Sequence, residues 1–132
     1  MREILFRGKR KDNGEWVYGY YLQIGDVGKL HYILTGKLAI RNGVVGFEQY
    51  EVIPESVSEF TGLTDKNGKR IFEGDIVEYK DEYGKIVYHH NEAMFVIEFD
   101  TWCTDFDHIT GNEIEVVSNI QDNPELLKGG AE

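Results

Sequence analysis

Aromatic and aliphatic side chains recur at every second position along much of this chain. Trp16, Tyr18, Tyr20, Leu22 and Ile24 form one such series, with Val17 and Tyr21 between them. Leu30, Tyr32 and Leu34 form a second, and Phe95, Ile97 and Phe99 a third. Ile86 and Tyr88 repeat the spacing, and Ile114 and Val116 alternate with Glu113 and Glu115. A helix would repeat its apolar residues three and four apart, whereas a period of two sends alternate side chains to opposite faces of a strand. Aromatic and β-branched residues suit such a pleated, half-buried surface. The spacing predicts a mainly β fold of eight to ten short strands.

Turn chemistry agrees with that reading. Asn13-Gly14, Asn42-Gly43 and Asn67-Gly68 are residue pairs that tolerate positive φ, as tight hairpins require, and Tyr83-Gly84 is a weaker version. Helix is minor, with one short turn predicted near 54–60 and another near 123–128. In the second, Asp122 and Asn123 precede Pro124, and Lys128 and Gly129 follow. The best seam lies near Ile53-Pro54, giving a β-rich subdomain over 1–53, a second over 54–128, and a disordered tail over 129–132. The strands expected from Gly74 onward follow the order of a small SH3-like barrel, a pattern analogy that makes the whole a barrel or roll with an SH3-like C-terminal half.

A chain of 132 residues with 41% hydrophobic content has enough apolar surface to fold without staples. Cys103 is the only cysteine, so no internal disulfide forms, and no apolar run resembles a signal peptide or a membrane span. The expected address is the cytoplasm. Net charge is −10, and its placement is uneven. Residues 1–66 hold nine basic and nine acidic side chains, and residues 67–132 hold five and fifteen. An acidic half repels polyphosphate, which argues against nonspecific nucleic-acid binding.

No catalytic centre emerges. The segment 62–70 has five residues between its glycines and Arg70 where a phosphate loop needs a hydroxyl, so it reads as a hairpin turn. As a calcium loop it fails too, because Ile76 stands at the twelfth position. His89, His90 and His108 with Asp105 and Asp107 are the only residues to weigh as metal ligands, but their spacing matches no recognised site. Cys103 sits in an acidic neighbourhood, the wrong electrostatic setting for a thiolate nucleophile. The expectation is a protein that is not an enzyme, with no catalytic or metal site and no cofactor.

Two surface features remain. The stripe of Trp16, Tyr18 and Tyr20 would stack bases if exposed, but Leu22 and Ile24 continue the same face, which favours a wall of the core. Arg7, Lys9, Arg10 and Lys11 form a basic N-terminal strand that would contact phosphate in a nucleic-acid-binding alternative. Charged residues on a strand edge also serve to block edge pairing.

The segments 2–7 (REILFR), 16–19 (WVYG), 52–57 (VIPESV), 60–77 (FTGLTDKNGKRIFEGDIV), 118–120 (SNI) and 122–127 (DNPELL) are distributed over nearly the whole chain. In them the chain resembles the YopX family of phage and prophage proteins. Residues 8–14 depart from the aromatic-acidic turn of the family, and 100–112 is not one of its anchors. The resemblance implies a mostly β fold with an SH3-type barrel and a phage-derived origin. It brings no catalytic residues, because the family has no assigned activity. The leading expectation is a phage accessory protein acting as a binding module, whose partner is another protein or a second copy of itself. The alternatives are nucleic-acid binding through the basic strand, and an acidic DNA mimic that inhibits a host protein.

Overall fold

The computed structural model describes residues 3–127; Arg2 and Lys128 of the sequence argument, and the tail over 129–132, lie outside the described residues. Eleven strands are found among the described residues, paired antiparallel throughout. The chain divides into two compact units, residues 1–59 and residues 60–132.

In the first unit, β1 (Phe6–Lys9), β2 (Trp16–Ile24), β3 (Leu30–Arg41) and β4 (Val44–Glu51) pair in the order β4-β3-β2-β1. The β3-β4 hairpin turns at Asn42-Gly43, where both residues have positive φ (52° and 77°), as the sequence requires of a two-residue loop. Beyond Leu34 the register of β3 against β4 shifts, and pairing resumes at Leu38↔Phe47. Pro54–Ser56 forms a 3-10 turn, shorter than the 54–60 span expected. The buried Ser56 hydroxyl donates to the Ile53 carbonyl (2.6 Å) and accepts the Lys9 N–H (2.8 Å). That anchor ends the turn, and Ser58 and Glu59 then extend along β1 as the start of β5 (Ser58–Thr64).

In the second unit, β5 turns back through β6 (Arg70–Phe72). β7 (Asp75–Tyr79), β8 (Glu82–His89), β9 (Met94–Glu98) and β10 (Cys103–Asp105) then form a meander, and β11 (Glu115–Asn119) returns beside β7. The resulting order, β10-β9-β8-β7-β11, leaves the three-residue β10 and β11 as edges, so hydrogen bonding does not close a barrel. The mainly β expectation holds. A further 3-10 turn, Pro124–Leu127, occupies most of the span expected near 123–128.

Ile71, Val77, Ile86, Ile97, Phe99, Ile109, Ile114 and Val116 are buried together as one cluster, with Tyr79, Phe95 and Phe106 packed against it. Gly84 lies inside β8 rather than in a turn. A Cβ there would press at 3.0 Å on Ile97 and Phe99, so glycine lets the strands and core close. The turn falls instead at Lys80 and Asp81, both with positive φ.

The loop once compared with phosphate and calcium loops is held by Asp65, only 3% exposed. Its carboxylate accepts N–H bonds from Asn67, Lys69 and Val116, each 2.9 Å. Burial alone would push this carboxyl up. The bonds from Val116, Lys69 and Asn67, aided by the Lys69 charge, outweigh it and hold the pKa below the ordinary 3.8. Asp65 is a structural staple: it ties the β5-β6 turn to β11.

Candidate functional site

The expected core wall lies in the open. Tyr18 is 47% exposed and Tyr20 66%, with Leu22 and Ile24 also exposed and Trp16 half-buried. The reason is visible in the pairing. Residues directly opposite in an antiparallel pair share a face. Tyr20↔Leu34, Leu22↔Tyr32 and Ile24↔Leu30 place the stripe on one face, while Tyr21↔Ile33 and Ile33↔Tyr50 lie on the other. The covered side is the second one, where Ile33 is fully buried and Tyr21 packs on Phe6 with ring centroids 5.6 Å apart.

The open face continues across the hairpin. Leu34 opposes Gln49, and alternation along β4 carries Val45 and Phe47 to the same side as Gln49. Leu38 opposes Phe47 and Ile40 opposes Val45, so all four project from this face. Leu38, Ile40 and Phe47 are each about two-thirds exposed, and Val45 60%. One sheet face therefore presents Tyr18, Tyr20, Leu22, Ile24, Leu30, Leu38, Ile40, Val45 and Phe47 as exposed apolar surface. Scattered exposed apolar residues are ordinary, but a contiguous set of this size is uncommon on a monomer's surface. The sequence held the signal, since Leu38-Ile40 and Val45-Phe47 also alternate, but that hairpin was not singled out there.

The basic quartet is engaged within the first unit. Arg7 is buried, donates through Nε to the Ser58 hydroxyl (3.0 Å) and lies 4.7 Å from the Trp16 ring centroid. Lys9 approaches the same ring at 5.6 Å. Arg10 makes a two-pronged pair with Asp12 at 2.9 and 2.6 Å and covers the Tyr50 ring at 4.0 Å. Its hydrogen bond with Asp12 raises the guanidinium pKa further and lowers that of the carboxyl. Lys11 pairs with Glu51 at 3.0 Å. On the covered side, Glu48 accepts from Tyr50 and from Thr35; those bonds lower its pKa, and the bond to Glu48 raises that of Tyr50.

The second unit has an open groove of about 460 Å³ lined by His89, Glu92, Met94, Val96, Trp102, Cys103, Thr104, Asp105 and His108. His108 Nδ1 lies 2.8 Å from Asp105, whose carboxylate also accepts the His108 and Asp107 N–H groups. The shared hydrogen bond lowers the Asp105 pKa and raises that of His108 above 6.5. His89 lies 4.0 Å from Glu92 and 3.8 Å from Glu98, while His90 meets the Tyr88 ring edge-on. Cys103 is exposed as a free thiol. Among the described residues, no three His, Cys, Asp or Glu side chains are grouped to hold a metal ion, and no helix is long and apolar enough to cross a membrane.

Known proteins similar to this chain include a family and a solved structure. The family model described as YopX protein covers residues 5–128. The crystal structure of protein EF1440 from Enterococcus faecalis is similar over 96% of this chain and 99% of that one, at 24% identity and a TM-score of 0.63, a likeness of fold. No curated protein matches.

Proposed function

This chain belongs to the YopX family, and from that premise we propose that it is a non-enzymatic protein-binding module, an accessory protein of a phage or prophage, which binds through the open face of β2, β3 and β4. The observation that carries the reading is the run of exposed apolar side chains from Tyr18 to Phe47 on one sheet face. Tyrosine and phenylalanine supply large, stiff contact areas, and interface centres are enriched in such residues and poor in charge. The strand order of the second unit, a meander with the last strand beside the first, supports an SH3-type relationship for that unit. A single exposed thiol suits a reducing cytoplasm.

The nucleic-acid alternative has less support. Arg7, Lys9, Arg10 and Lys11 are committed to Ser58, Trp16, Asp12, Tyr50 and Glu51, so they do not form a free phosphate-facing patch. In-cell photo-crosslinking tests the proposal. A photoreactive phenylalanine at position 20 or 47 should yield protein adducts, and one at Tyr83 in the second unit should not. Absence of any protein adduct from positions 20 and 47 overturns the reading.

A further inference from the structure

We propose that the open face of β2–β4 packs against the same face of a second copy of this chain, joining two copies about a two-fold axis. The inference rests on reading that face as a protein-binding surface and names the partner.

The β3-β4 hairpin is structurally incomplete. Pairing between β2 and β3 ends at Tyr20↔Leu34, so among the described residues the hairpin beyond it, from Leu38 round to Phe47, has no third strand. Val44, on the opposite side of that ribbon, is 69% exposed. An isolated two-stranded ribbon is marginally stable in water unless it packs on something. Between Val44 and Phe47 its β4 edge carries no charged residue and no Pro, the usual devices against pairing with other chains. A surface left this way is covered by a partner or aggregates.

The face is also large enough for a stable contact. At exposures of 41–71%, the nine side chains together offer on the order of 1,000 Å², above the ~300–600 Å² of a typical monomer's largest patch and comparable to the ~800 Å² that one partner gives a standard interface. A flat sheet face meets another sheet face naturally, at about 10 Å spacing with interdigitated side chains.

Charge points the same way. Residues 1–59 hold eight basic and eight acidic side chains, so the unit bearing the face is neutral although the chain carries −10. Two copies can meet there without the repulsion that an acidic surface would impose. The charged residues that the register places on this face, Glu51 opposite Tyr32, Arg7 opposite Tyr18 and Lys9 opposite Trp16, are engaged by Lys11, Ser58 and the Trp16 ring, which leaves a strongly basic or acidic partner little to pair with. A self-complementary apolar face is what a two-fold contact needs, and two-fold dimers are the commonest assemblies.

Sedimentation velocity on the full chain, from micromolar to submillimolar concentration, reads the outcome. A concentration-dependent monomer–dimer equilibrium is expected. Ile40→Glu and Phe47→Glu should each weaken it about 30-fold or more, the effect of removing a central contact. Val27→Glu, in the β2-β3 loop where the residue is 95% exposed, should leave it unchanged. Ile40→Ser, checked for a native circular dichroism spectrum, guards against a folding defect. A wild-type protein that stays monomeric throughout overturns the inference, as does a dimer indifferent to Ile40→Glu and Ile40→Ser. Photo-crosslinks from positions 20 and 47 separate the two readings. Adducts of twice the chain mass support self-association; only adducts of other mass reject the second copy but keep the binding face, and no adduct rejects both.

Discussion

Among the described residues, buried hydrophobic side chains are divided two to twelve: Ile33 and Val52 in residues 1–59, and twelve, from Phe60 to Val116, in residues 60–132. Exposed large hydrophobic side chains run the other way, thirteen against four. The second unit wraps its sheet around a cluster in which Ile86, Ile97 and Ile114 reach zero exposure. The first covers one side of its sheet and leaves the other bare. Since burying an Ile or Phe side chain contributes about 1.5–3 kcal/mol, the second unit holds itself together while the first leaves stabilisation unclaimed. Charge divides along the same line, with the acidic excess confined to residues 60–132. One unit closes over a core; the other leaves one sheet face open, the face proposed above to take a second copy.

The contrast is open to attack by mutation, and the largest effect belongs to the finished unit. Ile86→Ala, at a fully buried site, should cost about 3–4 kcal/mol in urea denaturation. A loss below 1 kcal/mol would mean that the cluster is loosely packed and the contrast overstated. Next comes Asp65→Asn, which should cost about 2–3 kcal/mol near neutral pH by weakening three charge-assisted bonds to backbone N–H groups. The pH dependence has a definite sign. The folded-state pKa of Asp65 lies below the ordinary 3.8, so its stabilisation is present above that value and fades as pH falls through the lowered one. The variant should lack this component of acid sensitivity, and equal acid sensitivity in both proteins would remove the staple from the account.

A smaller effect sharpens the comparison from the other side. Leu38→Ser in dilute, unassembled protein should change stability by less than about 0.5 kcal/mol, as a surface substitution does. A loss on the scale of Ile86→Ala would show that the face is already covered. The smallest effect concerns His108. NMR titration should place its pKa above 6.5, and Asp105→Asn should bring it back towards 6.5. Because the folded pKa is raised, whatever this exposed pair contributes is present below 6.5 and disappears as pH rises through the raised value.

Several elements were legible from short stretches of sequence. Asn42-Gly43 turns the β3-β4 hairpin because both residues accept positive φ, and Pro124 opens a short turn after Asn123. Ile86-Tyr88 and Phe95-Ile97 alternate and pair as neighbours in β8 and β9. Other positions misled because their reason lies far along the chain. Gly84 reads as a turn residue, yet glycine is needed there for the approach of Ile97 and Phe99. Ser56 reads as part of a longer helix, yet its hydroxyl serves Lys9, 47 residues earlier. The basic quartet reads as a solvated strand edge or, in the alternative, a phosphate contact; its partners include Tyr50, Glu51 and Ser58, which only folding brings near.

The sequence by itself determined that this protein is made of strands and that residues 16–24 have two unlike sides. An alternation of period two is a local property, fixed by backbone geometry and readable without any partner. Which side is dry was decided by the tertiary structure. Phe6 and Ile33 occupy the Tyr21 side, and Tyr18 and Tyr20 stay exposed on the other. Burial is a relation between segments distant in the chain, so Tyr20 can be apolar enough for a core and still stand in water.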